Sequence, residues 1–169
     1  MLPPLVIMGV SGSGKSTVAE ALADRIEGGR YIDGDDLHPA SNVAKMSAGR
    51  PLDDVDRAPW LDAVGRAMVE AVAEGVTPVM ACSALKRVYR RRILAQEPQA
   101  FFVLLDVGRD ELVRRMHRRR GHFMPVSLLS SQLATLQPLT AGEPGTTVRV
   151  LGHADQLTER ILAQVLRAR

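Results

Sequence analysis

Gly9-Val10-Ser11-Gly12-Ser13-Gly14-Lys15-Ser16 satisfies the pattern G-x-x-x-x-G-K-[ST] at every position. The residue types match a physical task. Glycines let a short loop turn so tightly that successive backbone N–H groups converge on phosphate oxygens. A helix starting at the end of that loop points its positive pole at the same oxygens. Lys15 is long enough to reach β- and γ-phosphates, and the Ser16 hydroxyl suits a Mg²⁺ ligand. The candidate phosphate cradle is therefore Gly9, Val10, Ser11, Gly12, Ser13, Gly14, Lys15, Ser16 and Thr17. A glycine-rich turn that binds nothing is the plainer alternative. The flanks disfavour it, because an apolar run precedes the loop and an amphipathic pattern follows it.

A second group of chemistry-bearing residues is Asp33-Gly34-Asp35-Asp36-Leu37-His38. Ligands of open parallel sheets sit beyond the carboxyl ends of the strands, and this segment leaves a strand there beside the phosphate loop. In extended backbone alternate residues point to one side, so Asp33 and Asp35 are expected to face one cleft. One would organise Mg²⁺, a role given to Asp33, and Asp35 would accept a substrate hydroxyl proton. An Asp-rich turn that merely caps a loop is the simpler reading of the same spacing.

These groups need a frame, and the apolar pattern describes one. Leu5 to Met8 reads as a buried strand. Val18, Leu22 and Ile26 recur every four residues, a helix stopped by Gly28-Gly29. Tyr31-Ile32 reads as a second strand and Pro39 to Ser47 as a short helix broken by Gly49-Arg50-Pro51. Trp60, Val64, Met68 and Val72 share a face of a helix ending at Gly75. Thr77 to Cys82 predicts a third strand, with Ser83 as N-cap of a helix through Leu94. Phe101 to Leu105 predicts a fourth strand, followed by a helix from near Asp110. A basic interlude from Arg118 to Gly145 carries its own helical pattern over Val126 to Leu136. Thr147 to Leu151 predicts a fifth strand, and Leu157, Ile161, Val165 and Leu166 a last helix. The alternation implies one α/β doubly wound domain over residues 1–169.

Composition narrows the class. At 169 residues with 46% hydrophobic content, the chain can bury a core without disulfides, and Cys82 is its single cysteine. No apolar run approaches the ~18 residues of a membrane span, and Met1-Leu2-Pro3-Pro4 does not resemble a signal peptide, so a cytoplasmic protein is expected. Of 22 basic residues only Lys15, Lys45 and Lys86 are lysines, an arginine bias suited to phosphate and carboxylate. Nucleic acid is a rival partner, but three Phe, two Tyr and one Trp leave little for base stacking. A GTPase would need Asn-Lys-x-Asp, and Asn42-Val43-Ala44-Lys45 fails that pattern. An ATPase motor would end an apolar strand in Asp-Glu, where this chain has Ala81-Cys82-Ser83. A small-molecule kinase remains.

Further segments carry a resemblance. Asp33-Gly34-Asp35-Asp36-Leu37-His38-Pro39, Asn42, Lys45-Met46, Pro51-Leu52, Asp54, Asp56-Arg57 and Pro59-Trp60-Leu61 resemble the gluconate kinase (gluconokinase) family. So do Cys82-Ser83-Ala84-Leu85-Lys86, Tyr89-Arg90, His122-Phe123-Met124-Pro125 and Leu128-Leu129-Ser131-Gln132, in order over nearly the whole chain. The resemblance implies a three-layer P-loop kinase fold with a five-stranded parallel sheet, helices on both faces and a mobile lid near residues 118–140. It implies phosphorylation of D-gluconate on O6 with ATP and Mg²⁺, no nucleic-acid or membrane partner, and the homodimer that family members often form.

A polyol carrying a carboxylate needs hydrogen-bonding acids and a fixed cation. Asp33, Asp35 and His38 are the candidates for its hydroxyls, and Arg57, Lys86 and Arg90 for its carboxylate. Of the basic run Arg114-Arg115 and Arg118-Arg119-Arg120, at least one arginine is expected to close over the phosphates, with Arg118 and Arg120 the leading candidates. Trp60 reads as core, and Cys82 as a small buried hydrophobe. Shikimate kinase is the nearest alternative, since Tyr31-Ile32-Asp33-Gly34-Asp35 suits it, although Cys82-Ser83-Ala84 stands where that family has glycines. Adenylate kinase and a nucleotide-gated switch without acceptor turnover are the others.

Overall fold

Leu5, Val6, Ile7 and Met8 are all fully buried, as four consecutive apolar residues require of a strand covered on both sides. They form β1 (Leu5–Met8) at the centre of the sheet in a computed structural model that describes residues 2–118 and 126–168. β2 (Gly29–Asp33), β3 (Thr77–Ala81), β4 (Phe101–Asp106) and β5 (Gly145–Arg149) complete it in the order β2-β3-β1-β4-β5, all parallel. The crossovers are α1 (Lys15–Arg25), α2 (Ala40–Ser47), α3 (Asp54–Ala73), α4 (Arg87–Gln96), α5 (Arg109–Arg118) and α6 (Val126–Thr135), with α7 (Ala154–Arg167) at the end.

Strand alternation divides the core in two. Leu5, Ile7, Val79, Val103 and Leu105 pack with Val18 and Leu22 of α1 and Ile161 and Val165 of α7. Val6, Met8, Met80, Phe102 and Leu104 face the other way, onto Trp60, Val64 and Met68 of α3 and Ile93 of α4. A smaller cluster of Val10, Leu85, Val107, Leu112 and Leu129 seats α5 and α6 against the loops that follow β1 and β3. The architecture is thus the expected three-layer α/β fold with a five-stranded parallel sheet. No described helix is long and apolar enough to cross a membrane.

Three local expectations change. Ser83 does not cap α4, which begins at Arg87 with Lys86 in the cap position. The first amide of α4, on Arg87, donates instead to Gln137 Oε1 at 2.7 Å, a partner 50 residues away that no local pattern announces. β5 begins at Gly145, two residues before the predicted Thr147, because pairing with Phe102–Asp106 sets its register and only Val148 is buried. Finally, the chain does not stay extended after Asp33. It enters a single 3₁₀ turn, Gly34–Leu37, so Asp33 and Asp35 do not alternate along a strand.

Candidate active site

The loop from Gly9 to Gly14 joins β1 to α1, and its glycines carry the backbone into regions closed to other residues. Gly9, Gly12 and Gly14 have φ of 147°, 81° and 93°. Gly14 caps α1 in the left-handed region with no side-chain acceptor, so no side chain competes for the first-turn amides of Lys15, Ser16 and Thr17. Lys15 Nζ folds back onto the Val10 carbonyl at 3.1 Å, over the loop. Ser13 Oγ is buried within the loop without a hydrogen-bond partner, the orphan polar group expected of a cradle for an anion.

Asp33 ends β2 and accepts the Asp35 N–H at 2.9 Å through Oδ1, capping the 3₁₀ turn. The turn-capping reading of this segment therefore holds for Asp33, while its other oxygen has no part in the cap. Gly34 permits the turn to lie against β3, since a Cβ there would stand 2.6 Å from the Ala81 carbonyl. The Trp60 indole N–H donates to the Gly34 carbonyl at 2.7 Å and holds the turn from the α3 side. Trp60 is core, as expected, and also the support of this loop.

The electrostatics gather these groups around one point. Burial pushes the Cys82 thiol, just beyond β3, up to about 12; Lys15 lowers it and Asp35 and Asp33 raise it further. Tyr31 is raised by its own burial, opposed by the Ser16 hydroxyl and reinforced by Asp33, so its phenol marks the approach of Ser16 to Asp33. Among the described residues no three His, Cys, Asp or Glu side chains form a cage. Ser16 and Asp33 suit Mg²⁺, which takes one or two protein oxygens and completes its shell with phosphate and water.

Beside this point lies a cavity of about 640 Å³, lined by Leu52, Asp54, Arg57, Lys86, Tyr89 and Gln132 among others. Two of the three expected cations reach it. Arg57 donates to the Leu52 carbonyl and lies over the Tyr89 ring, 5.7 Å from its centre. Lys86 Nζ bonds Asp54 at 2.9 Å, and the Tyr89 hydroxyl donates to the same carboxylate. Those two bonds, Tyr89 first, hold Asp54 below the usual carboxylate range, and the bond to Asp54 raises Lys86.

Arg90 does not join them. It is fully buried, and its guanidinium donates to Glu143 at 2.6 and 3.1 Å and to the carbonyls of Ala84, Leu85 and Pro138. Those bonds occupy its donors, so the expectation that Arg90 holds a substrate carboxylate is corrected: it is a structural clamp. What it clamps is the loop leading to Lys86, where Ala84 has a φ of 42° that costs a non-glycine residue about 1 kcal/mol.

Arg118 ends α5 and is exposed. Arg120 lies outside the described residues, as do residues 119–125 at the start of the segment expected to be a lid. One turn before Arg118, Arg115 touches the phosphate loop. Its Nη1 donates to the Gly12 and Ser13 carbonyls, each at 3.3 Å, while Nε bonds Glu111 at 2.9 Å. With Thr17, Val18, Val150 and Leu157 it lines a second cavity of about 290 Å³ behind the loop. Arg115 belongs to the basic run expected to reach the phosphates, although Arg118 and Arg120 led that expectation; the Glu111–Arg115 spacing of four was a signal for Arg115. Gln132, singled out by the resemblance without a role, accepts the Ser11 N–H through Oε1 at 2.6 Å and so links the phosphate loop to the wall of the larger cavity.

Comparison with known proteins agrees with this geometry. A family model described as an AAA domain matches residues 5–139. The gluconokinase of Gluconobacter oxydans is 48% identical over 94% of this chain and 88% of its own. The thermosensitive gluconokinase of Escherichia coli is 44% identical over 82% of this chain and 73% of its own. A crystal structure of a gluconokinase from Sinorhizobium meliloti superposes with a TM-score of 0.84 at 44% identity, covering 98% of this chain and 92% of that one. With identity of this order over most of both chains, the chain belongs to the gluconokinase family.

Proposed function

We propose that this protein transfers the γ-phosphoryl group of ATP to O6 of D-gluconate, giving 6-phospho-D-gluconate and ADP. The observation that carries this reading is the juxtaposition of a P-loop, an acidic turn and a cavity lined by Arg57 and Lys86 at the carboxyl ends of adjacent strands. The names of the aligned relatives give the same activity.

The amides from Gly9 to Gly14 and the first turn of α1 hold the phosphates, with Lys15 neutralising charge on the β- and γ-oxygens. Ser16 and Asp33 would hold Mg²⁺, which would supply further charge neutralisation on the phosphates. Arg115 and the aliphatic walls of the smaller cavity suit the adenine base. Arg57 and Lys86 bind the gluconate carboxylate, Lys86 sharing its charge with Asp54. Asp33, Asp35 and His38 bind hydroxyls, and Asp35 takes the O6 proton as the O6–P bond forms and the bond to the ADP oxygen breaks. Arg118, at the end of α5, neutralises charge that develops on the phosphoryl group.

ADP release measured with gluconate, shikimate and AMP as acceptors tests the assignment, with phosphorus NMR of the product to locate the ester. Gluconate is expected to give the highest kcat/KM by orders of magnitude, with phosphate on the primary alcohol. Faster turnover of either other acceptor would overturn the reading.

A further inference from the structure

Asn42 is the one buried residue of α2, with 2% of its surface exposed. A primary amide in such a place must have its donors and acceptors met, and the way they are met is informative. Its Nδ2 stands 2.9 Å from the main-chain carbonyl of Asp56 in α3. A carbonyl oxygen can only accept, so the amide orientation is determined: NH₂, and not Oδ1, faces Asp56. The same Nδ2 stands 3.2 Å from His38 Nδ1. One hydrogen goes to Asp56, the other to the imidazole, and Nδ1 must receive it as a lone pair.

We propose that Asn42 is a positioning residue that holds His38 as the neutral tautomer protonated on Nε2, so that the ring offers the acceptor cleft a hydrogen-bond donor. The proposal rests on the reading of His38 as a hydroxyl-binding residue. A proton on Nδ1 would set two N–H groups against each other.

The surroundings keep the ring fixed and neutral. His38 stacks on Trp60 with ring centres 4.2 Å apart and planes 15° from parallel, and Trp60 is itself anchored to Gly34. The charged groups acting on the ring are Asp35, which favours its protonation, and Arg57, which opposes it. Partial burial is the largest influence and keeps the ring below the usual histidine range. The Asp56 end of the chain is equally held. Its carboxylate closes a capping box with Asp53 at the start of α3 and bonds Lys45 of α2 at 2.5 Å.

The tautomer matters because of what stands beside it. Asp35 is an acceptor, so a hydroxyl donating its proton to it still has oxygen lone pairs to satisfy. An Nε2–H donor complements that carboxylate, whereas the opposite tautomer would add a further acceptor and leave the hydroxyl oxygen unmet.

Long-range proton–nitrogen NMR of the ¹⁵N-histidine-labelled full chain at pH 7 reads the tautomer directly, and loss of the signal in His38→Asn assigns it. The expected result is an unprotonated Nδ1 and a protonated Nε2. A protonated Nδ1 in the wild-type protein overturns the proposal, with no variant needed. Asn42→Asp replaces the donor by an acceptor and is expected to shift the proton to Nδ1 and raise the gluconate KM about tenfold, with the ATP KM within twofold. In a His38→Asn background the same substitution should cost no further gluconate KM; an additive loss means that Asn42 acts by another route and refutes the proposal. Absence of gluconate turnover by the wild-type enzyme would instead refute the functional reading, and the wild-type spectrum would still decide the tautomer.

Discussion

Replacing Glu143 by Gln removes the charge that balances Arg90 in the interior. The two side chains have 4% and 0% of their surface exposed, and the pair is held by bonds of 2.6 and 3.1 Å. The Arg90 guanidinium, followed by the Thr140 amide, pulls the Glu143 carboxyl from 4.5 down to about 2. That difference corresponds to about 3 kcal/mol of folding stability at pH 7. Because the folded-state value is the lower one, the contribution is complete above the unfolded value and fades as pH falls towards 2. At pH 3 about 1 kcal/mol remains. Glu143→Gln should therefore cost about 3 kcal/mol at pH 7, near the range for breaking a buried pair. For a chain of this size that lowers Tm by roughly 6–12 °C. Urea unfolding of both proteins at pH 7 and pH 3 measures the gap and its narrowing. A cost below about 1 kcal/mol at pH 7, or a gap that does not shrink in acid, would refute the assignment of Arg90 as a clamp that depends on this charge. Since the clamp holds the loop before Lys86, the folded variant should also show a raised gluconate KM.

The remaining predictions concern the site. Lys15→Ala should lower kcat by at least a hundredfold, since phosphate positioning and charge neutralisation are lost together, and single-turnover kinetics would register it. Asp35→Asn should lower kcat by a hundredfold or more while ATP affinity, read by fluorescent nucleotide titration, changes less than threefold; a kcat near wild type would move the general base elsewhere. Arg57→Ala should raise the gluconate KM at least tenfold, through loss of a charge-assisted bond worth about 1.5–3 kcal/mol, and spare the ATP KM. Arg115→Ala should do the reverse, raising the ATP KM with little effect on gluconate, because its bonds go to the Gly12 and Ser13 carbonyls.

The relation of sequence to structure is uneven, and the unevenness has a cause. The phosphate loop was legible because contiguous residues make it: Gly9, Gly12 and Gly14 supply the backbone angles, and β1 and α1 on either side announce themselves by apolar pattern. The strands were legible for the same reason, apart from β5, where a polar segment takes its register from β4. The acidic turn was half legible. Its residues stood out, but the 3₁₀ turn that arranges them depends on Trp60 reaching Gly34 from 26 residues away.

Arginines proved the hardest to read, because 19 side chains of one type differ only in their surroundings. Arg57 and Arg90 both lie in distinctive segments, yet one lines the cavity and the other is buried against Glu143, 53 residues further on. Arg115 meets the phosphate loop across 102 and 103 residues, and Gln132 meets Ser11 across 121. By itself, then, the sequence determined the P-loop, the acidic turn and the order of strands and helices, since local backbone preference and apolar period act over a few residues. Only the tertiary structure decided which cations face the cleft and which side chains brace it, because a side chain's role depends on partners that folding brings from far along the chain.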